Sequence, residues 1–153
     1  MPEIGLGTWK YKGGPEPLRK GIELGATLID TAEMYAVPPS PDTYGKTESI
    51  IGHWLDNNKE KRKDIILASK IAGAGLPWIR EGGPITKASI AQSVDASLQR
   101  LQTDYIDLYQ LHWPNRTSPH FSKHWPNSFK FSDLNREREV EGMLAILEGL
   151  NDC

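Results

Sequence analysis

Asp30, Tyr35, Lys70 and His112 are the residues of this chain whose types and placing could do chemistry. His112 closes the stretch DYIDLYQLH (residues 104–112), a short, nearly continuous apolar run that Pro114 then breaks. Strands buried on both faces of a parallel sheet read this way. In barrels and doubly wound sheets, the residue just past the carboxyl end of such a strand is where chemistry is done. Asp30 and Lys70 stand at the ends of two earlier candidate strands, and Tyr35 follows Asp30 in the loop above the same rim. Titratable groups at the carboxyl ends of parallel strands converge on one small volume. An ammonium buried without a partner is costly, and Asp30 is the obvious counter-ion for Lys70. Taken singly, Asp30 reads as a turn residue or helix cap, Lys70 as an exposed strand end, Tyr35 as a surface tyrosine and His112 as a hydrogen-bonded core histidine. At three successive strand ends they read as a set.

The elements that must position this set follow in order. A short strand spans residues 4–8, with Trp9 at its exit and Gly13-Gly14-Pro15 turning the chain. Pro15 suits a first helical position, Leu18, Ile22 and Leu24 supply a buried stripe, and Gly25 is a natural stop. Residues 27–30 form a second strand, and the proline-rich residues 36–44 exclude regular structure. A helix is predicted over residues 46–57 with Ile50, Ile51, Trp54 and Leu55 on one face. The charge run at residues 59–63 reads as a solvated helix end, and residues 64–70 as a third strand ending on its lysine.

The Gly/Pro-rich loop over residues 73–84 is not a dinucleotide fingerprint, because Trp78 takes the third glycine's place and Pro77 breaks the helix that should begin there. Thr86 can cap a helix carrying Ile90, Val94, Leu98 and Leu101, and the strand ending at His112 comes next. Residues 113–136 are long for a loop and rich in Trp, Phe and His, and loops of that length are functional lids or disordered. Val140, Leu144, Leu147 and Leu150 outline a last helix. Four strand–helix units in alternation call for an α/β fold with parallel strands and right-handed crossovers.

The totals narrow the class further. The 153 residues suit one domain with a real core. With 18 Lys plus Arg against 20 Asp plus Glu, the net charge of -2 gives no reason to expect a nucleic-acid or anionic-membrane partner. No apolar run approaches the roughly 20 residues of a membrane span, and the first residues lack a signal-peptide pattern. The 1 cysteine, Cys153, excludes an intramolecular disulfide and a cysteine-based metal site, and no metal site is expected. The expectation is a cytoplasmic globular protein.

Several motifs together resemble the NADP-dependent aldo-keto reductases: IGLGTW at residues 4–9, LIDTAEMY at 28–35, GKTES at 45–49, ASK at 68–70, SLQRLQTDYIDLY at 97–109 and HWP at 112–114. The resemblance implies the N-terminal half of a (β/α)8 TIM-type barrel over residues 1–153, and an oxidoreductase that reduces a small aldehyde or ketone with NADP(H). It implies that Tyr35 donates the proton, that Lys70 and Asp30 tune it, and that His112 orients the carbonyl. By the same resemblance Thr8, Trp9 and Asp30 touch the nicotinamide–ribose end of the cofactor, and Trp9, Tyr35, His112 and Trp113 line the substrate pocket. The physical account agrees: an ammonium within reach of a phenol favours the phenolate and lowers its pKa.

This family's barrel has eight strands and about 250 residues or more. The chain matches four units of it, and lacks the half that supplies the family's carboxamide pair, its stacking aromatic and its 2'-phosphate loop. Two alternatives to an active reductase therefore stand: a non-catalytic cofactor-binding module and an inactive fragment. Self-association through exposed sheet edges is a further expectation.

Overall fold

The computed structural model describes residues 2–115 and 136–152. Four strands alternate with four α-helices: β1 Gly5–Gly7, α1 Glu16–Glu23, β2 Leu28–Asp30, α2 Lys46–Asp56, β3 Ile66–Ile71, α3 Lys87–Leu101, β4 Leu108–Leu111 and α4 Arg136–Asn151. The strands form one parallel sheet in the order β1-β2-β3-β4, so every carboxyl end points the same way. Register pairs Gly7 with Asp30, Asp30 with Ala68, and Lys70 with Gln110, which brings the strand ends to one rim.

The period-2 alternation of a strand sorts the sheet into two faces. Ile29, Leu67 and Ile71 are fully buried and face the helices, where they pack with Leu18, Ile51, Leu55, Ile90 and Leu101. Asp30, Lys70 and Leu108 alternate with them and are only partly covered, Leu108 being 38% exposed. Helix α3 starts on a reciprocal cap: Thr86 Oγ1 accepts from Ser89 N at 3.1 Å, and Ser89 Oγ accepts from Thr86 N at 2.7 Å. This is a capping box with serine in the distal place.

The structure corrects several sequence expectations. Leu24 is 76% exposed, because α1 ends at Glu23 and the turn at Gly25, with φ +93°, carries Leu24 away from the sheet. The charge run is a 3₁₀ turn, and one of its members, Arg62, is buried rather than solvated. The line of α3 that is sealed comprises Ile90, Ser93, Ser97 and Leu101; Val94 and Leu98 are half-buried beside it.

β4 is an edge strand of 4 residues, not a strand covered on both faces. Helix α4 forms, but it buries Ile146 and leaves Val140, Leu144 and Leu147 each more than half exposed. Residues 116–135, most of the aromatic loop read as a lid or a disordered segment, lie outside the described residues. Among the described residues no helix is long and apolar enough to cross a membrane, and no cluster of His, Cys, Asp or Glu could hold a metal ion.

Candidate functional site

The carboxyl rim gathers the residues that the strand ends single out. Lys70 Nζ donates to Asp30 Oδ1 at 2.5 Å and to the Thr31 carbonyl at 2.7 Å. The Tyr35 and His112 rings meet edge to face with centroids 5.4 Å apart, and Lys70 Nζ lies 5.5 Å from the Tyr35 ring. Parallel register explains the convergence. Glu33 N donates to Lys70 O and His112 N to Ile71 O, so the segments after β2 and β4 are stitched to the end of β3. Thr8 is fixed in the same way from the other side, its N and Oγ1 both donating to Asp30 O at 3.1 and 2.8 Å.

The two tryptophans at the rim differ. Trp9 is 52% exposed and keeps a ring face open, with Lys10 Nζ 4.8 Å from its centroid. Trp113 is buried: its Nε1 donates to the Ala74 carbonyl at 3.2 Å, and its ring lies so close to Gly73 that any Cβ there would collide with it at 2.3 Å. Trp113 packs with Ala72 and Ile79 and tilts against His112, with centroids 5.2 Å apart. It braces the histidine from behind more than it offers an open wall.

The electrostatics of the rim depart from one expectation. The Tyr35 hydroxyl is held above its ordinary value, chiefly by burial and then by the Asp30 carboxylate, so the lowering expected from Lys70 does not prevail. His112 is pushed down to about 4, first by burial and then by the Lys70 ammonium. At neutral pH the imidazole is therefore uncharged, with one ring N–H to donate. A protonated phenol, an ammonium anchored by a carboxylate and a neutral imidazole form a set that can deliver a proton and stabilise a developing oxyanion.

Sequence reasoning missed a layer of buried charge behind this rim. Glu33 and Glu48 are both fully buried, paired with Arg80 and Arg100 respectively. No local pattern marks either glutamate as buried; the available signal was only that each sits within a motif, LIDTAEMY or GKTES. Of two open depressions, one lies away from the rim and one reaches it at Thr8 and Trp9. The larger, of about 560 Å³, sits at the opposite end of the sheet against Leu55, Arg62, Leu98 and Thr103. The smaller, of about 250 Å³, lies beside β1 against Leu6, Thr8, Trp9 and Tyr11. The larger holds no convergent catalytic groups, and its guanidinium is already bonded on several sides. Chemistry therefore points to the rim, not to the larger hollow.

Comparison with known proteins agrees with the fold and with the motifs. The profile of the Aldo/keto reductase family matches residues 3–153. Protein tas of Escherichia coli (strain K12) is 40% identical over 129 residues, which cover 78% of this chain and 37% of that protein. The NADH-specific methylglyoxal reductase of the same organism is 32% identical over 175 residues, covering 99% of this chain and 48% of the relative. Among solved structures, an aldo-keto reductase from Klebsiella pneumoniae in complex with NADPH superposes with a TM-score of 0.57 at 37% identity, over 76% of this chain and 37% of that one. The chain thus spans between about a third and a half of the length of these relatives. Its parallel sheet with alternating helices is part of a (β/α)8 barrel. With sequence profile, topology and superposition in agreement, the chain belongs to the aldo/keto reductase family.

Proposed function

We propose that residues 1–153 are the N-terminal, catalytic half of an aldo-keto reductase barrel that reduces a small aldehyde or ketone to an alcohol. The observation that carries this reading is the rim itself: Lys70 bonded to Asp30 at 2.5 Å, with the Tyr35 and His112 rings in edge contact beside them. Tyr35 gives its phenolic proton to the carbonyl oxygen, and a pKa held above the ordinary value keeps that proton in place until it is needed. Lys70 then lies close enough to stabilise the phenolate left behind, while Asp30 keeps the ammonium aimed. His112, neutral, donates its N–H to the alkoxide as charge develops. NADP(H) is the proposed cofactor, and its nicotinamide supplies the hydride when bound.

The residues present fit one end of that cofactor. The Asp30 carboxylate has a side chain 39% exposed and can accept hydroxyl donors, Thr8 fixes the adjoining backbone, and Trp9 presents an open ring. Trp9, Tyr35, His112 and Trp113 would border the substrate, with Trp113 acting through the histidine it braces. A cytoplasmic setting is supported by the chain's 1 cysteine. Self-association is supported by the outer strands β1 and β4, beside which no further strand lies among the described residues, and by the exposed Val140, Leu144 and Leu147.

The second reading is a half that holds the catalytic groups but does not turn over, favoured by the 37% to 48% of each relative's length that the chain covers. Most of the binding energy for a dinucleotide would then lie elsewhere. Each missing charge-assisted hydrogen bond is worth about 1.5–3 kcal/mol, so two or three would weaken binding by orders of magnitude. Following NADPH oxidation at high cofactor concentration separates the readings, with methylglyoxal as the first substrate because relatives carry it in their names. Turnover that Tyr35→Phe abolishes supports the enzyme. Turnover that survives Tyr35→Phe removes the proposed acid, and no turnover at any cofactor concentration favours the inactive half.

A further inference from the structure

Behind the rim, Glu33 and Arg80 form an ion pair that the reaction scheme does not use. The Glu33 side chain is fully buried, and Arg80 clasps it with both terminal nitrogens: Nη1 donates to Oε2 at 2.8 Å and Nη2 to Oε1 at 2.7 Å. Ser93 Oγ donates to Oε2 at 2.7 Å, and Ala72 N to Oε1 at 2.6 Å. Arg80 Nη2 also reaches the Ala72 carbonyl at 2.9 Å. A buried carboxylate met by donors on both oxygens is compensated, and the fork of a guanidinium fixes its plane as well as its position.

The connections of Glu33 run to the catalytic segments. Its main-chain N–H donates to the Lys70 carbonyl at 3.2 Å, and its side chain holds Ala72, two residues beyond Lys70. Tyr35 lies two residues beyond Glu33, its own N–H donating to the Ala32 carbonyl. One residue thus joins the turn that carries the phenol to the strand end that carries the ammonium. Arg80 and Glu81 adopt φ of 47° and 56°, a left-handed backbone that residues other than glycine rarely take. Such conformations persist where surrounding structure over-determines them, and here the clasp on Glu33 does so.

We propose that the Glu33–Arg80 pair is a positioning device that sets the separation of the Tyr35 turn from Lys70 and His112, an inference that rests on the rim chemistry described above. The second buried pair supplies the internal control. Glu48, also fully buried, accepts from Arg100 Nε at 2.7 Å and from Ser69 Oγ at 2.5 Å. Those bonds tie helices α2 and α3 to the helix-facing side of β3. Arg100 also lies over the Tyr44 ring at 5.0 Å, so this pair meets Glu33 only at one remove, through the Tyr44 hydroxyl that donates to Oε2 at 3.4 Å. The two pairs share composition and burial, and differ in what they hold.

Arg80→Lys in the full 153-residue chain tests this, with Arg100→Lys as its counterpart. Lysine keeps the charge at each site but lacks the fork, so any change reports geometry and not lost charge. The readout is the His112 titration, followed by proton NMR and assigned with His112→Gln, because Lys70, Asp30 and Glu33 all act on that imidazole. Arg80→Lys is expected to raise the His112 midpoint by about half a unit or more, as the rim loosens and water enters. Arg100→Lys should leave the midpoint where it is while lowering the urea midpoint at least as much. Equal His112 shifts in both variants, or none in Arg80→Lys, overturn the proposal. Should Arg80→Lys fail to fold, Ser93→Ala removes one Glu33 donor, and a smaller shift in the same direction is expected; no shift there is likewise contrary. If the chain turns over, Arg80→Lys should lower kcat about tenfold with KM little changed, since alignment is felt in the transition state. The titration is readable without turnover, so failure of the enzymatic reading and failure of this inference are separate results.

Discussion

At the amino end of the sheet, Arg62 donates to Thr103 Oγ1, to the Ile65 and Tyr105 carbonyls and to Asp107 Oδ2, all between 2.7 and 3.0 Å. Asp107 also caps the Leu67 N–H, and the guanidinium lies 3.7 Å from the Tyr105 ring centroid. At the carboxyl end, Lys70 has two acceptors, Asp30 and the Thr31 carbonyl, for three donors. Both cations are well covered, with side chains 9% and 14% exposed. The difference lies in saturation. Arg62 is bonded in so many directions that it can only hold strand ends together. Lys70 keeps capacity beside a phenol and an imidazole, which is what a group needs if it is to respond to charge appearing nearby.

The contrast breaks most visibly at the rim. Lys70→Met should cut any turnover by about 10²–10⁴-fold, the range that a positioned proton-transfer system contributes, while the urea midpoint falls comparatively little. A Lys70→Met chain that unfolds outright would make Lys70 a structural cation like Arg62. The reverse pattern is expected at the other end. Arg62→Met leaves Asp107 without its cation and should cost about 3–5 kcal/mol in urea unfolding, with the His112 titration unmoved wherever the chain remains folded.

A pH series sharpens the same distinction. The folded state holds the His112 pKa near 4, against an ordinary value of 6.5 that the unfolded chain recovers. As pH falls below 6.5 the unfolded state takes up a proton that the folded state refuses, so stability drops until about pH 4 and then levels. With allowance for partial solvent access, the loss is on the order of 2 kcal/mol, and His112→Gln should remove it. A stability curve between pH 4 and 6.5 that is identical in both chains would show that the imidazole is not held neutral.

The smallest effect concerns an element near the rim with no part in its chemistry. Thr86→Ala removes the α3 cap and should cost about 1 kcal/mol in thermal or urea unfolding. The His112 midpoint should stay put, since the Thr86 hydrogen bonds stay within its own helix turn, to Ser89 and Ile90. A shifted midpoint would mean that α3 as a whole, and not the Glu33–Arg80 clasp, positions the rim.

Residues that obey strong local rules were legible without coordinates. Apolar runs ending on Asp30, Lys70 and His112 implied parallel strands with their ends together, because hydrophobic periodicity and crossover handedness leave few alternatives. Thr86 and Gly25 announced a helix start and stop through backbone chemistry that any chain shares. The motifs at residues 28–35 and 97–109 pointed to the family that the profile and superposition bear out. What only the tertiary structure decided is which charged residues lie inside. Arg62 sits in a run of charges, and Glu33, Glu48, Arg80 and Arg100 carry no local mark of burial; each is enclosed because a partner distant in sequence meets it there. The same holds for protonation. Residue identity sets the sign, since burial disfavours the phenolate of Tyr35 and the imidazolium of His112, but how far each is desolvated depends on what packs around it, and that is set by contacts across the chain.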